Sequence, residues 1–349
     1  MSLLGEGSFG CVFSPHFPCE GEEKRIRKAR GENTRDLELV SKVFTDKGEF
    51  NKEIRMSRKA AKIDPNNKSI LVPTSSCRVS RKAVEQHPAM SQCDMLKLQY
   101  PGVNPFYQLL MPYGGTRIDH YLRDWRDMHT LYSLRSFLNM VESLFEGLLL
   151  FEAHGMCHQD IKTANILVTP QGKAMFIDYG LMESYANVFS IQNQKRLKYT
   201  YFPYPPEYKI AYYILTDCKE CVIDMGIRNN IAKFGEARES AFYSYFSQSE
   251  VVKHSKNLQQ FLTRKKDRQK QLTWLKKYAN RIDVYSLGTA LVDASRYVLI
   301  PTGNEKTWVE FIRHLIHPDV RKRYTPKQAH QAFLKLRGML SAAYSRDNS

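Results

Sequence analysis

The stretch from His154 to Leu181 constrains this chain more than any other. It reads HGMCHQDIKTANILV and then, after a short turn, FIDYGL. In order it offers an acid (Asp160), a lysine two positions on (Lys162), an amide (Asn165) and a second acid (Asp178). Two apolar runs, Ile166-Leu167-Val168 and Met175-Phe176-Ile177, separate these groups and predict two short buried strands with polar side chains at their ends. Phosphoryl transfer needs such a set. One carboxylate orients a hydroxyl and takes its proton, a second carboxylate and an amide oxygen hold Mg2+, and a lysine offsets charge on the moving group.

A glycine pattern near the start points to the same chemistry. Gly5-Glu6-Gly7-Ser8-Phe9-Gly10-Cys11-Val12 has the spacing G-x-G-x-x-G-x-V. Glycines let a backbone fold closely over a triphosphate, so that N–H groups reach its oxygens. The dinucleotide-binding fingerprint shares this spacing. It opens a helix, however, whereas Cys11-Val12-Phe13 is strand-like. Leu37 to Phe44 then alternates polar and apolar residues, predicting a strand that carries Lys42. Residues 49 to 63 read as a helix whose Glu49 and Glu53 share a face, so that either carboxylate can reach Lys42.

Taken together, His158-Gln159-Asp160-Ile161-Lys162-Thr163-Ala164-Asn165 and Asp178-Tyr179-Gly180 resemble the H-R-D-L-x-x-x-N loop and D-F-G triplet of protein kinases. Further along, Thr200 to Glu207 resembles the T-x-x-Y-x-A-P-E ending of the activation segment. Asp283 to Gly288 resembles the family's D-V-W-S-L-G helix start, and Asp319 to Thr325 its D-P-x-K-R-x-T. The resemblance implies an α+β, bilobed protein-kinase-like fold. A small antiparallel β-sheet lobe would span residues 1–111 and a larger, mainly helical lobe 112–349, the latter with a basic insertion at about 208–281. It implies ATP and Mg2+ as cofactors and serine or threonine hydroxyls of proteins as substrates.

The site residues follow from the same resemblance. Asp160 is implied as the base and Lys162 as a phosphate contact, with Asn165 and Asp178 as Mg2+ ligands. Thr200 is implied to bond the catalytic pair and, with Lys162, to mark serine/threonine specificity. The nucleotide is implied to meet Leu4, Gly5, Gly7, Gly10, Val12, Val40, Lys42, Glu53, Met111, Tyr113 and Leu167. The backbone of Pro112 to Gly114 would bond the adenine edge, and Arg323 would brace the activation segment by an ion pair with Glu207. Gln159 stands where the family has an arginine that neutralises a phosphorylated activation loop, which implies activity without that modification. The opening run Gly10 to Cys19 and Val40 to Lys42 resemble kinases of large DNA viruses, implying a host cytoplasm or virion. A pseudokinase scaffold and a nucleic-acid-binding protein on a kinase frame are the rival readings.

Composition adds a charge to explain. The 52 basic and 36 acidic residues give +16, which favours anionic partners such as nucleic acid or acidic protein, or a solvated basic surface. The basic segments are 24–30 and 253–281. The most apolar run, Leu144 to Phe151, is too short for a bilayer, so no transmembrane segment is expected. With the first motif beginning at residue 5 and no leader before it, the seven scattered cysteines are expected to be reduced thiols in an intracellular compartment. Cys218 and Cys221 form a lone C-x-x-C, half of a structural zinc site at most. Residues 14 to 36 read as an extended loop and Ile70-Leu71-Val72 as a strand. Residues 80 to 105 have no assignment.

Overall fold

The computed structural model describes residues 2–7, 10–25, 38–94, 105–197, 204–216, scattered positions from 245 to 264, and 267–346. The chain divides into two compact units, Met1–Gly115 and Thr116–Ser349.

Unit 1 is built on a six-stranded antiparallel sheet. Its strands are β1 (Ser2–Gly7), β2 (Gly10–Ser14), β3 (Glu20–Arg25), β4 (Leu39–Phe44), β5 (Ser75–Val79) and β6 (Phe106–Pro112), in the order β1-β2-β4-β6-β5-β3. Strand β4 lies between β2 and β6, pairing Val12 with Lys42 and Val40 with Met111. Its central place explains a departure from the alternating pattern: Ser41 and Lys42 are buried along with their apolar neighbours. Helix α1 (Lys47–Ile63) starts at Asp46, whose side chain accepts the Glu49 N–H at 2.7 Å. Phe50, Glu53, Met56, Ser57, Ala60 and Ile63 form its buried stripe.

Unit 1 departs from the expected pattern at three places. Within the stretch read as a loop, Glu20–Arg25 is an edge strand pairing with β5. The strand placed at Ile70–Val72 falls instead at Ser75–Val79; Ile70 makes only an isolated bridge. The cysteines of unit 1 are not thiols. Cys11 bonds Cys93 and Cys19 bonds Cys77, tying β2 and the approach to β3 to segments 82 and 58 positions away. The unassigned stretch starts with a short helix, Arg81–Glu85. It lays Val84, Ala89 and Cys93 on a core shared with Cys11, Phe13, Phe17, Val43, Val79 and Phe106.

Unit 2 is organised around two long helices and one buried one. Leu134–Ala153 begins at Ser133, which caps the Ser136 N–H, and sinks Phe137, Val141, Leu144, Leu148 and Phe151. Against it lie Pro326–Arg346 and the hairpin Ile166–Val168 / Ala174–Phe176, with Phe145 stacked on Phe333 at 4.4 Å. Helix Ile282–Ser295 is buried nearly all round, as its apolar sequence dictates. Strand β7 (Thr116–Arg117) extends the hairpin by pairing with Leu167 and Val168. Among the described residues, no helix is long and apolar enough to cross a membrane.

Candidate functional site

In unit 2 the polar groups converge at the ends of the short hairpin. The Thr163–Asn165 turn precedes its first strand, and Asp178 follows its second. Ile177 N–H donates to the Asn165 carbonyl at 3.1 Å, so the two ends are pinned side by side. Lys162 Nζ donates to Asp160 Oδ2 at 3.0 Å. Asn165 Nδ2 donates to the same oxygen at 2.8 Å and to the Asp160 carbonyl at 2.9 Å. Burial pushes the Asp160 carboxyl above its ordinary range; Lys162 pulls it down, and Asp178 adds a repulsion that pushes it up. Asp160 is therefore oriented by two donors while being kept more basic than a solvated aspartate.

The imidazole of His158 fixes this loop from beneath. Its Nε2 lies 3.1 Å from the Ile177 carbonyl, and its Nδ1 accepts the Asp160 N–H at 3.3 Å. Those partners require the neutral tautomer with hydrogen on Nε2. Burial agrees, lowering its pKa to about 4. Asp283, at the start of the buried helix, accepts the His158 N–H at 2.6 Å and the Gln159 N–H at 3.0 Å. The sequence marks Asp283 only as a helix start, and the structure gives it this second task. Gln159 and Asp178 both adopt left-handed backbone at φ 66°, a conformation costing non-glycine residues about 1 kcal/mol that persists where surrounding bonds over-determine it. At Tyr179 the ring is buried, and its hydroxyl donates to the Phe176 carbonyl at 2.5 Å.

The donor set suits a hard cation. Asn165 uses its NH2 on Asp160, which leaves its carbonyl oxygen, and Asp178 supplies a carboxylate; oxygen ligands of this kind fit Mg2+.

Unit 1 holds the remaining predicted residues. Lys42 Nζ meets Glu53 Oε1 at 3.4 Å, with both side chains about a tenth exposed, while Glu49 instead meets Lys52 at 3.1 Å. Helix phase decides between the two acids, because Glu53 shares the buried stripe with Phe50 and Ser57. Gly10 has a steric reason, since a Cβ there would sit 2.4 Å from the Val43 carbonyl oxygen. Gly5 and Gly7 lie on β1, Leu4 there is 40% exposed, and Val12, Val40 and Met111 lie on adjoining strands. Tyr113 N–H already donates to the Glu38 carbonyl at 2.9 Å; since Pro112 has no N–H, Gly114 is the remaining backbone donor of that stretch. Leu167 belongs to unit 2, on the hairpin. Thr200, Cys218, Cys221, residues 26–30 and most of 251–266 lie outside the described residues.

No family model matches the chain. It is 24% identical over 181 residues to serine/threonine-protein kinase PLK4 of Danio rerio, a match covering 52% of this chain and 15% of that protein. It is 38% identical over 52 residues to serine/threonine-protein kinase PknA of Mycobacterium tuberculosis, covering 15% of this chain and 12% of that protein. The chain thus spans less than a fifth of the length of either relative. At low identity and over part of its length, it is similar to serine/threonine protein kinases.

Proposed function

We propose that this chain is an ATP-dependent serine/threonine protein kinase that works without phosphorylation of its activation segment. The observation that carries the reading is Asp160 held by Lys162 and Asn165 beside the strand end that bears Asp178. A substrate hydroxyl oxygen bonds the γ-phosphorus, the bond to the bridging oxygen breaks, ADP leaves, and the hydroxyl proton passes to Asp160. Lys162 balances charge on the phosphoryl group. Asn165 and Asp178 would hold Mg2+, which would offset charge on the phosphates. Residues 1–111 act as the nucleotide lobe through Lys42, Glu53 and the glycine run, and 112–349 as the catalytic lobe with its insertion at about 208–281. Thr200 and Lys162 favour Ser/Thr over Tyr. The resemblance of its opening run to kinases of large DNA viruses would put the chain in a host cytoplasm or virion, and of the two the disulfides of unit 1 favour the less reducing virion. The basic segments 24–30 and 253–281 would serve an anionic partner.

Transfer of labelled phosphate from Mg-ATP to a generic basic protein tests this. The wild-type chain should phosphorylate serine or threonine, and Asp160→Asn should lose about 10²–10⁴-fold of the rate. A wild-type protein that binds ATP yet transfers nothing would instead be a scaffold. Salt-sensitive DNA binding without transfer would favour the nucleic-acid reading.

A further inference from the structure

Gln159 is more than the absence of an arginine. Its side-chain amide is 1% exposed and every hydrogen-bonding position on it is filled. Nε2 donates to the Leu181 carbonyl at 2.5 Å and toward Asn193 Oδ1 at 3.4 Å. Oε1 accepts from Asn193 Nδ2 and from the Tyr208 hydroxyl, each at 2.8 Å. Asn193 is saturated as well: its Nδ2 also donates to the Val188 carbonyl at 2.7 Å, and its Oδ1 accepts Arg196 Nη2 at 2.7 Å. Arg196 Nη2 returns to the Leu181 carbonyl at 3.0 Å, closing the ring of bonds. Asn193 and Tyr208 are themselves buried, at 4% and 0% exposure.

These partners come from three elements. Leu181 follows the Asp178 turn, Asn193 and Arg196 sit on the short helix Ile191–Arg196, and Tyr208 sits on helix Pro206–Thr216. The hub therefore ties the segment from 181 to 196, and the helix after it, to the residue directly before Asp160. The backbone of Gln159 is anchored from the other side by Asp283. Hydrogen bonds among buried groups are strong in low dielectric, and removing one partner of Gln159 or Asn193 strands several others. Burial holds the Tyr208 phenol well above its ordinary pKa, so it stays a donor.

Resting on the kinase reading above, we infer that Asn193 and Tyr208 are positioning residues: through the Gln159 amide they lock segment 181–196 in place and aim Asp160. Neither touches a reacting atom. Gln159, Asn193 and Tyr208 are neutral; Arg196 is the charged member of the lock, and its Nε has no hydrogen-bond partner among the described residues.

Two variants that alter little volume test it, Tyr208→Phe and Gln159→Glu. Tyr208→Phe should lower kcat for a serine peptide at least 10-fold, with the KM for ATP changed less than 2-fold. A glutamate at 159 still accepts from Tyr208 and Asn193 but can donate to Leu181 only when protonated. Gln159→Glu should therefore gain activity as pH falls from 8 to 6, relative to a wild-type profile that does not. Amide hydrogen exchange gives a readout independent of activity. The N–H groups of Val188, Gln194 and Leu197, bonded within the segment, should exchange at least 10-fold faster in both variants. Unchanged exchange together with kcat within 2-fold of wild type overturns the inference, as does a Gln159→Glu pH profile parallel to wild type. A wild-type protein that transfers no phosphate overturns the kinase reading and the aiming of Asp160, and exchange still decides the lock.

Discussion

Arg323 and Glu207, 116 positions apart, meet in a two-pronged ion pair that is almost entirely out of water. Nη1 lies 2.9 Å from Oε2 and Nη2 3.1 Å from Oε1, and both side chains are no more than 1% exposed. Arg323 also donates to the His317 carbonyl at 3.0 Å and lies over the Tyr285 ring at 4.7 Å. Removing one partner leaves the other charge buried alone. Arg323→Met and Glu207→Leu should each cost about 3–5 kcal/mol of stability. The double variant should cost clearly less than the two combined, because no lone charge remains. Urea unfolding of the four proteins measures this; additive losses would deny that the pair is coupled.

Acid stability should hinge on two buried groups of the loop that pull in opposite directions. His158 is lowered from 6.5 to about 4, so between those values the unfolded chain binds a proton that the folded chain refuses. Its contribution falls as pH drops through that window. Asp283 is raised from 3.8 to about 6 by burial, against the pull of the Gln159 and His158 N–H groups. There the folded chain keeps a proton that the unfolded chain has lost, so its contribution rises as pH drops from 6 to 4. Each amounts to roughly 3 kcal/mol, and in the wild type they largely cancel. Asp283→Asn should therefore lose stability relative to wild type on going from pH 6.5 to 4.5, and His158→Phe should gain. Denaturant melts at the two pH values check both signs; equal slopes in the three proteins would sink the account.

The sequence is read most easily where burial and period coincide. The hairpin around Leu167 and Met175 and the existence of α1 follow from apolar spacing, whereas the choice of Glu53 over Glu49 rests on the kinase resemblance. Edges and long-range partners are harder. Strand β3 reads EGEEKR, a charged run with little β-propensity, and its place at the end of the sheet lets it pair on one side only. Helix Ile118–Met128 is masked by DHYLRDWRDM, whose charges face outward while Ile118 and Leu122 are buried. The bonds to Gln159 come from 34 and 49 positions away, and no local pattern announces them.

Nor can cysteine spacing predict its own pairing. With Cys11–Cys93 and Cys19–Cys77 formed, alkylation of unfolded, unreduced protein should leave those four unlabelled and react with Cys157. Each bridge closes a long loop of the unfolded chain, which by the loop-entropy argument stabilises unit 1 by up to about 4 kcal/mol. Reduction should accordingly lower the unfolding midpoint of unit 1, and Cys19→Ser/Cys77→Ser should reproduce part of the loss. Mass spectrometry showing all four labelled without reductant would return these residues to the thiol state.

Under the proposed kinase function the Lys42–Glu53 pair serves the nucleotide, and substitutions there separate two kinds of loss. Lys42 sits on the central strand β4, opposite Val12 of the glycine segment, with Nζ 5.3 Å from the Phe44 ring centre as well as 3.4 Å from Glu53. Glu53→Gln keeps the shape and removes the counter-charge, so the lysine is held less firmly and its ammonium is harder to keep charged in a buried place. Lys42→Met removes the cation itself. If Lys42 holds phosphates, Lys42→Met should weaken ATP affinity by about 1.5–3 kcal/mol, the worth of charge-assisted hydrogen bonds, and Glu53→Gln by less. Affinity for adenosine, which has no phosphates, should stay within a factor of about 2 in both, well under 1 kcal/mol. Titration calorimetry with the two ligands distinguishes the cases. Equal losses for ATP and adenosine would mean that the pair only props up the sheet.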